Sequence, residues 1–164
     1  MLLARIEFLQ GMPIFGALRA DALQLLLERA RTAEVPAGSF FFHDGDPANS
    51  MFVLESGRAV VMKAWRGREF ILNDLGPGDC FGEMALMDLL PRSASVRAES
   101  DCRAIEFSND DLLHLYERDV EQFALLQMNI GREVCRRLRA TDDLLFRARM
   151  GESPVGPDSF FRPA

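Results

Sequence analysis

The stretch from Phe40 to Gly67, FFFHDGDPANSMFVLESGRAVVMKAWRG, holds three short apolar runs, Phe40 to His43, Met51 to Glu55 and Arg58 to Ala64. They are cut by Asp44-Gly45-Asp46-Pro47, Ser56-Gly57 and Arg66-Gly67. Runs this short, bounded by turn-forming residues, read as β-strands joined by tight turns. The same grammar extends outward. Glu69 to Leu72, Ser93 to Ala98 and Arg103 to Phe107 follow, with Pro36-Ala37-Gly38 ahead of the set and Gly76-Pro77-Gly78-Asp79 inside it. Many short strands at regular spacing predict a rolled, barrel-like antiparallel sheet.

On both sides of the strands the period becomes helical. Leu23, Leu26, Leu27 and Ala30 recur at helical spacing behind Asp21, which predicts a short amphipathic helix over Ala20 to Ala30. After the N-cap cluster Ser108-Asn109-Asp110 the helical period resumes and runs, with a brief break near Asp119, to about Arg147. Its stripe is Phe123, Leu126, Ile130, Val134, Leu138, Thr141 and Leu145. A helix this long cannot bury its whole stripe on a small barrel, so part of it is expected to face a second copy in a homodimer. The predicted class is therefore α+β, an antiparallel β-roll with a short N-terminal helical part and a long C-terminal helix. One domain is expected over 1–148, with helices in 1–31, the roll at about 32–107 and the C-terminal helices at about 108–148. Residues 149–164, with three of the chain's eight prolines, read as a flexible tail.

Composition narrows the function. With 48% hydrophobic and 27% charged residues the chain can bury one core, and a formal charge of −6 sets no general field for nucleic acid or an anionic membrane. Met1 to Phe15 lacks a signal peptide's basic and apolar regions, and no long uninterrupted apolar window follows, so a cytoplasmic location is expected. Cys80, Cys102 and Cys135 show no metal-ligand spacing and read as reduced, mostly buried thiols. His43 and His114 stand in separate segments and no nucleophile has a recognisable setting, so no enzyme, metal or cofactor is expected.

The chemistry lies in Phe81-Gly82-Glu83-Met84-Ala85-Leu86-Met87-Asp88-Leu89-Leu90-Pro91-Arg92-Ser93-Ala94-Ser95-Val96-Arg97-Ala98. Its middle reads as a short helix whose first-turn N–H groups form an anion site, with Gly82 allowing close backbone approach. Arg92 offers a planar fork for two phosphate oxygens, and an ionised Glu83 accepts from a sugar hydroxyl. The same residues also fit a plain Glu83–Arg92 ion pair on a loop.

This segment resembles the phosphate-binding cassette of the cyclic-nucleotide-binding domain family, FGE-x-AL followed by PR-[SA]-A-[ST]-V-x-A, and the similarity runs from about Leu9 to Phe146. The resemblance implies that Glu83 binds the ribose 2′-hydroxyl and Arg92 the cyclic phosphate. The backbone of Gly82, Ala85 and Leu86 would meet phosphate oxygens and sugar, and Ser93 would add a hydroxyl. Leu72 and Leu75 match the apolar wall near the nucleoside in bacterial catabolite-activator receptors. Arg136-Arg137-Leu138-Arg139-Ala140-Thr141 is similar to the run ending in the base-contacting threonine of those receptors, which makes Thr141 a candidate for the adenine amino group. A threonine hydroxyl in a helix also bonds back to its own backbone. Asp142, where those receptors carry serine, departs from the pattern.

The implied ligand is cAMP, with cGMP as the alternative, since Ser93 also suits a guanine amino group. The implied role is a sensor that repositions its long helix and acts on a downstream protein. Other readings are a module that binds no nucleotide or a cyclic dinucleotide, or the N-terminal sensor part of a transcription regulator. No recognition helix can be drawn after Met150, so direct DNA binding is not expected. The basic run Arg132 to Arg149 reads as a solvated helix face.

Overall fold

A computed structural model describes residues 1–151 together with 162–163. The chain opens with α1 (Leu2–Gln10), a 3-10 turn at Pro13–Phe15 and α2 (Ala20–Arg29). Eight strands follow: β1 (Arg31–Val35), β2 (Phe40–Phe42), β3 (Ser50–Ser56), β4 (Ala59–Trp65), β5 (Arg68–Leu75), β6 (Cys80–Phe81), β7 (Ser95–Ala98) and β8 (Cys102–Ser108). The helix α3 (Met84–Asp88) sits between β6 and β7, and α4 (Asn109–Arg118) and α5 (Val120–Arg149) follow the strands. The strands form two antiparallel sheets, β1-β8-β3-β6 and β2-β7-β4-β5, and the backbone of Arg162–Pro163 (β9) pairs along the outer edge of β5. The α+β roll expected from the strand grammar is present. Strands β1 and β6 are not among the expected ones: β1 offers only Ala33 and Val35 in alternation and β6 only two residues, and pairing with β8 and β3 defines them.

Two layers of core hold the roll. Phe52, Leu54, Phe81, Val96, Ala98 and Ala104 fill the space between the sheets. On the other side Leu23, Leu26 and Phe15 pack with Met51, Val53 and Phe107, and Leu126 and Ile130 join them from α5. The β3–β4 turn requires Gly57. Its φ is +91°, and a Cβ there would run into the Asp101 carbonyl and Cys102.

The C-terminal helices start where expected, and their caps show why. Ser108 Oγ accepts from the Asp111 N–H at 3.2 Å, and Asp111 Oδ2 accepts from the Ser108 N–H at 2.8 Å, a capping box worth about 1 kcal/mol. The break falls at Asp119, whose non-helical backbone frees its carboxylate to accept from the Gln122 N–H at 3.1 Å and so to cap α5. Buried polar side chains then seat α5 on the 3-10 turn. Asn129 Nδ2 donates to Gly16 O at 2.9 Å, and Gln122 Oε1 accepts from the Arg19 N–H at 2.8 Å. Beyond Ile130 the helix stays against the body on one side only, so Val134 is half-buried and Leu138, Thr141 and Leu145 are exposed. Cys80 and Cys102 are buried, whereas Cys135 lies exposed on α5, and all three are free thiols. Of the expected tail, 152–161 and 164 lie outside the described residues. Among the described residues no helix is long and apolar enough to cross a membrane.

Candidate functional site

A cavity of about 120 Å³ opens beside α3, lined among others by Phe42, Val61, Gly82, Glu83, Ala85, Arg92, Ser93 and Arg137. Local sequence explains how its polar groups are held. Gly82 has φ +77°, which lets the chain turn from β6 into α3 and carry Glu83 inward at the helix N-cap. On the far side of α3, Leu89 adopts a left-handed conformation that ends the helix and returns the chain to Arg92. The Arg92 segment is then stitched to the Asp44-Gly45-Asp46 turn. Its N–H donates to Asp46 O at 2.9 Å, and its carbonyl accepts from the Gly45 N–H at 2.8 Å.

Glu83 and Arg92 are both buried, with relative exposures of 1% and 7%, yet they are not paired with each other. Arg92 Nη1 donates to Ser50 O at 2.8 Å and Gly82 O at 3.1 Å, and Nη2 donates to Ser50 Oγ at 3.3 Å. Its guanidinium lies 4.0 Å from the centre of the Phe42 ring. The counter-charge to Glu83 comes from α5, where Arg137 Nη1 meets Glu83 Oε1 at 2.6 Å and Nη2 donates to the Cys80 carbonyl at 2.7 Å. Two buried atoms of opposite sense remain. Among the described residues, Glu83 Oε2, an acceptor, and Arg92 Nε, a donor, have no hydrogen-bond partner. Orphaned polar atoms are costly in a protein interior and mark a place built for something more than packing.

Electrostatics follow the burial. Desolvation draws the Arg92 guanidinium below its ordinary value, against the opposing pull of Glu106, Asp46 and Glu83. Burial acts on Arg137 in the same direction, but the Glu83 carboxylate and its neighbours outweigh it, so Arg137 ends above its ordinary value and firmly charged. The Cys80 thiol beneath them is pushed up to about 12 by burial and by Glu83, which leaves it protonated.

Five of the expected site residues, Gly82, Glu83, Ala85, Arg92 and Ser93, share this cavity. Four do not line it. Leu86 is buried in the helical core and its N–H donates to Glu83 O at 3.0 Å. Leu75 belongs to the core between the sheets, and Leu72 is half-buried on β5 outside the lining. Thr141 is exposed, and its hydroxyl donates to Arg137 O at 2.9 Å, the backbone bond that a mid-helix threonine favours. Arg137 corrects the reading of the basic run as a uniformly solvated face. It stands seven residues after the buried Ile130, which returns it to the body-facing side of α5, and that spacing was the available signal for it.

The geometry agrees with the comparisons. The sequence profile of the family described as "Cyclic nucleotide-binding domain" matches residues 32–119. The cyclic AMP receptor protein of Thermus thermophilus is 32% identical over 135 residues, 82% of this chain and 61% of that protein. A cAMP-dependent protein kinase regulatory subunit of Emericella nidulans is 32% identical over 108 residues, 66% of this chain and 26% of that protein. The chain thus spans less than two thirds of these relatives. Among solved structures, the catabolite activator protein of Thermus thermophilus superposes with a TM-score of 0.74 at 31% identity, covering 84% of this chain and 63% of the other. A cassette with its glycine, buried carboxylate and buried arginine in register, on a matching roll, establishes that this chain belongs to the cyclic nucleotide-binding domain family.

Proposed function

We propose that this protein is a regulatory sensor that binds cAMP, and cGMP more weakly, in the cavity beside α3, and signals by moving α5. The observation that carries this reading is the pair of orphaned buried atoms, one donor and one acceptor, on two residues that line one cavity. A cyclic nucleotide presents their complements, since a ribose hydroxyl donates to Glu83 Oε2 and a phosphate oxygen accepts from Arg92 Nε. Ser93 stands at the cavity rim to add a hydroxyl.

In the present arrangement the space is smaller than the roughly 300 Å³ at which ligand pockets begin, and Arg137 closes one side of it. Admission of the nucleotide therefore displaces Arg137, and α5 moves with it. A ligand shifts such an equilibrium only by its differential affinity for the two arrangements, so residues on α5 govern switching more than phosphate grip. Thr141, one turn beyond Arg137, keeps donating its hydroxyl to Arg137 O and accepts from the adenine amino group with a free lone pair when α5 covers the base. The exposed Leu138, Leu145 and Phe146 are the surface on which a second copy of the chain pairs. The output acts on another protein, and the chain works by binding rather than by catalysis.

Isothermal titration of nucleotide-stripped protein with cAMP, cGMP and cyclic di-GMP tests this directly. Saturable binding of one cAMP per chain, tighter than cGMP, is the expected result, and Thr141→Ala should narrow the preference for cAMP. Silence with cAMP and cGMP, or binding of the cyclic dinucleotide alone, refutes the ligand assignment. An unchanged cAMP-to-cGMP ratio removes Thr141 from the site.

A further inference from the structure

We infer that Ser50 and Phe42 are positioning residues for phosphate recognition: with the Gly82 carbonyl they hold the Arg92 guanidinium so that one bidentate edge stays uncommitted. This rests on the cyclic-nucleotide reading above. A guanidinium carries five N–H donors in one rigid plane. Nη1 commits both of its hydrogens, to Ser50 O at 2.8 Å and Gly82 O at 3.1 Å, and Nη2 commits one, to Ser50 Oγ at 3.3 Å. Ser50 alone therefore takes the end of the fork, its carbonyl meeting one terminal nitrogen and its hydroxyl the other.

What remains is decided by the shape of the group. Nη1 is the terminal nitrogen on the Cδ side, so the uncommitted donors, Nε–H and the second Nη2–H, are parallel and share one edge. Nε is buried and meets no partner among the described residues. Two parallel N–H donors match two oxygens of a phosphate, the pairing for which an arginine fork is suited.

The plane itself is held from below. The guanidinium carbon lies 4.0 Å from the Phe42 ring centre and 5.7 Å from that of Phe52, within the range in which the ring face attracts a cation. Gly82 completes the seat, because a Cβ there would come within 2.5 Å of Arg92 Nη1. Phe42 lines the cavity, and Ser50 lies behind it at 3% exposure. Neither side chain has to touch the nucleotide to set how Arg92 presents itself.

The test is a set of cAMP titrations with thermal unfolding recorded in parallel, on wild type, Ser50→Ala, Ser50→Thr and Phe42→Leu. The alanine and leucine variants are repeated in an Arg92→Lys background, which keeps the charge and removes the fork. Ser50→Ala and Phe42→Leu are each expected to weaken cAMP by about threefold to tenfold. Ser50→Thr, which keeps the hydroxyl, should restore the wild-type affinity. With Lys at position 92 the two losses should shrink to about twofold or less, because the interaction they support is gone. Equal losses in both backgrounds, or no loss in wild type, overturn the positioning role and leave the cyclic-nucleotide reading standing. Failure of wild type to bind cAMP overturns both. Should Ser50→Ala prove unfolded, Phe42→Leu decides by the same criteria.

Discussion

Replacing Arg137 with methionine removes the clasp on Glu83 together with a more exposed i,i+4 pair to Glu133 Oε1 at 3.3 Å. The Glu83 side chain is 1% exposed, its Oε1 receives Arg137 Nη1 at 2.6 Å, and Arg137 Nη2 also serves the Cys80 carbonyl. Methionine keeps the length and much of the apolar stem while removing the charge and both donors. Breaking a fully buried ion pair costs about 3–5 kcal/mol. Arg137 itself is 40% exposed, so water screens its end of the pair, and the expected loss is about 2–3 kcal/mol. At about 2–4 °C per kcal/mol for a chain of this size, Tm should fall by about 4–12 °C. Thermal unfolding followed by circular dichroism at neutral pH reads the effect, and a loss below about 0.5 kcal/mol would refute the role given to Arg137.

Two further outcomes follow from the same geometry. Gly82→Ala places a Cβ against Arg92 Nη1 at a φ of +77°, so cAMP affinity should fall by at least about tenfold in titrations while stability drops by only about 1–3 kcal/mol. Wild-type affinity in that variant would contradict the seating of Arg92. The thiols make the last case. At pH 8 only the exposed Cys135 should react with a thiol reagent in the native protein, Cys80 becoming reactive on unfolding. The unfolded Cys80 thiol ionises near 9.0 and the folded one at about 12, so the unfolded chain releases its proton first and stability should decline as pH rises from 9 towards 12. Loss of that decline in Cys80→Ala, set against its presence in wild type, assigns it.

Much of the architecture was legible because it is written in local signals. Gly57, Asp44-Gly45-Asp46 and Gly76-Pro77-Gly78 each impose a turn whatever surrounds them, and Ser108 with Asp111 caps a helix from within four residues of chain. The short strands β1 and β6 were not legible, since Arg31–Val35 and Cys80–Phe81 become strands only by pairing with β8 and β3. The candidate site divided along the same line. Gly82, Glu83, Ala85, Arg92 and Ser93 lie close together in the chain, and one short helix brings them to one cavity.

The sequence alone determined that a glycine, a carboxylate and an arginine fall in one short cassette with a brief helical run between them, close enough along the chain to be brought to one place. It left open whether Glu83 and Arg92 neutralise each other. Only the tertiary structure decided that they do not. Arg137, 54 residues from Glu83 along the chain, reaches the carboxylate, and Ser50, 42 residues from Arg92, takes the end of its fork. A buried charge accepts whichever partner the packed elements deliver with the best geometry; helical spacing puts Arg137 on the body-facing side of α5, but which group it meets there is decided between α5, β3 and the cassette in space.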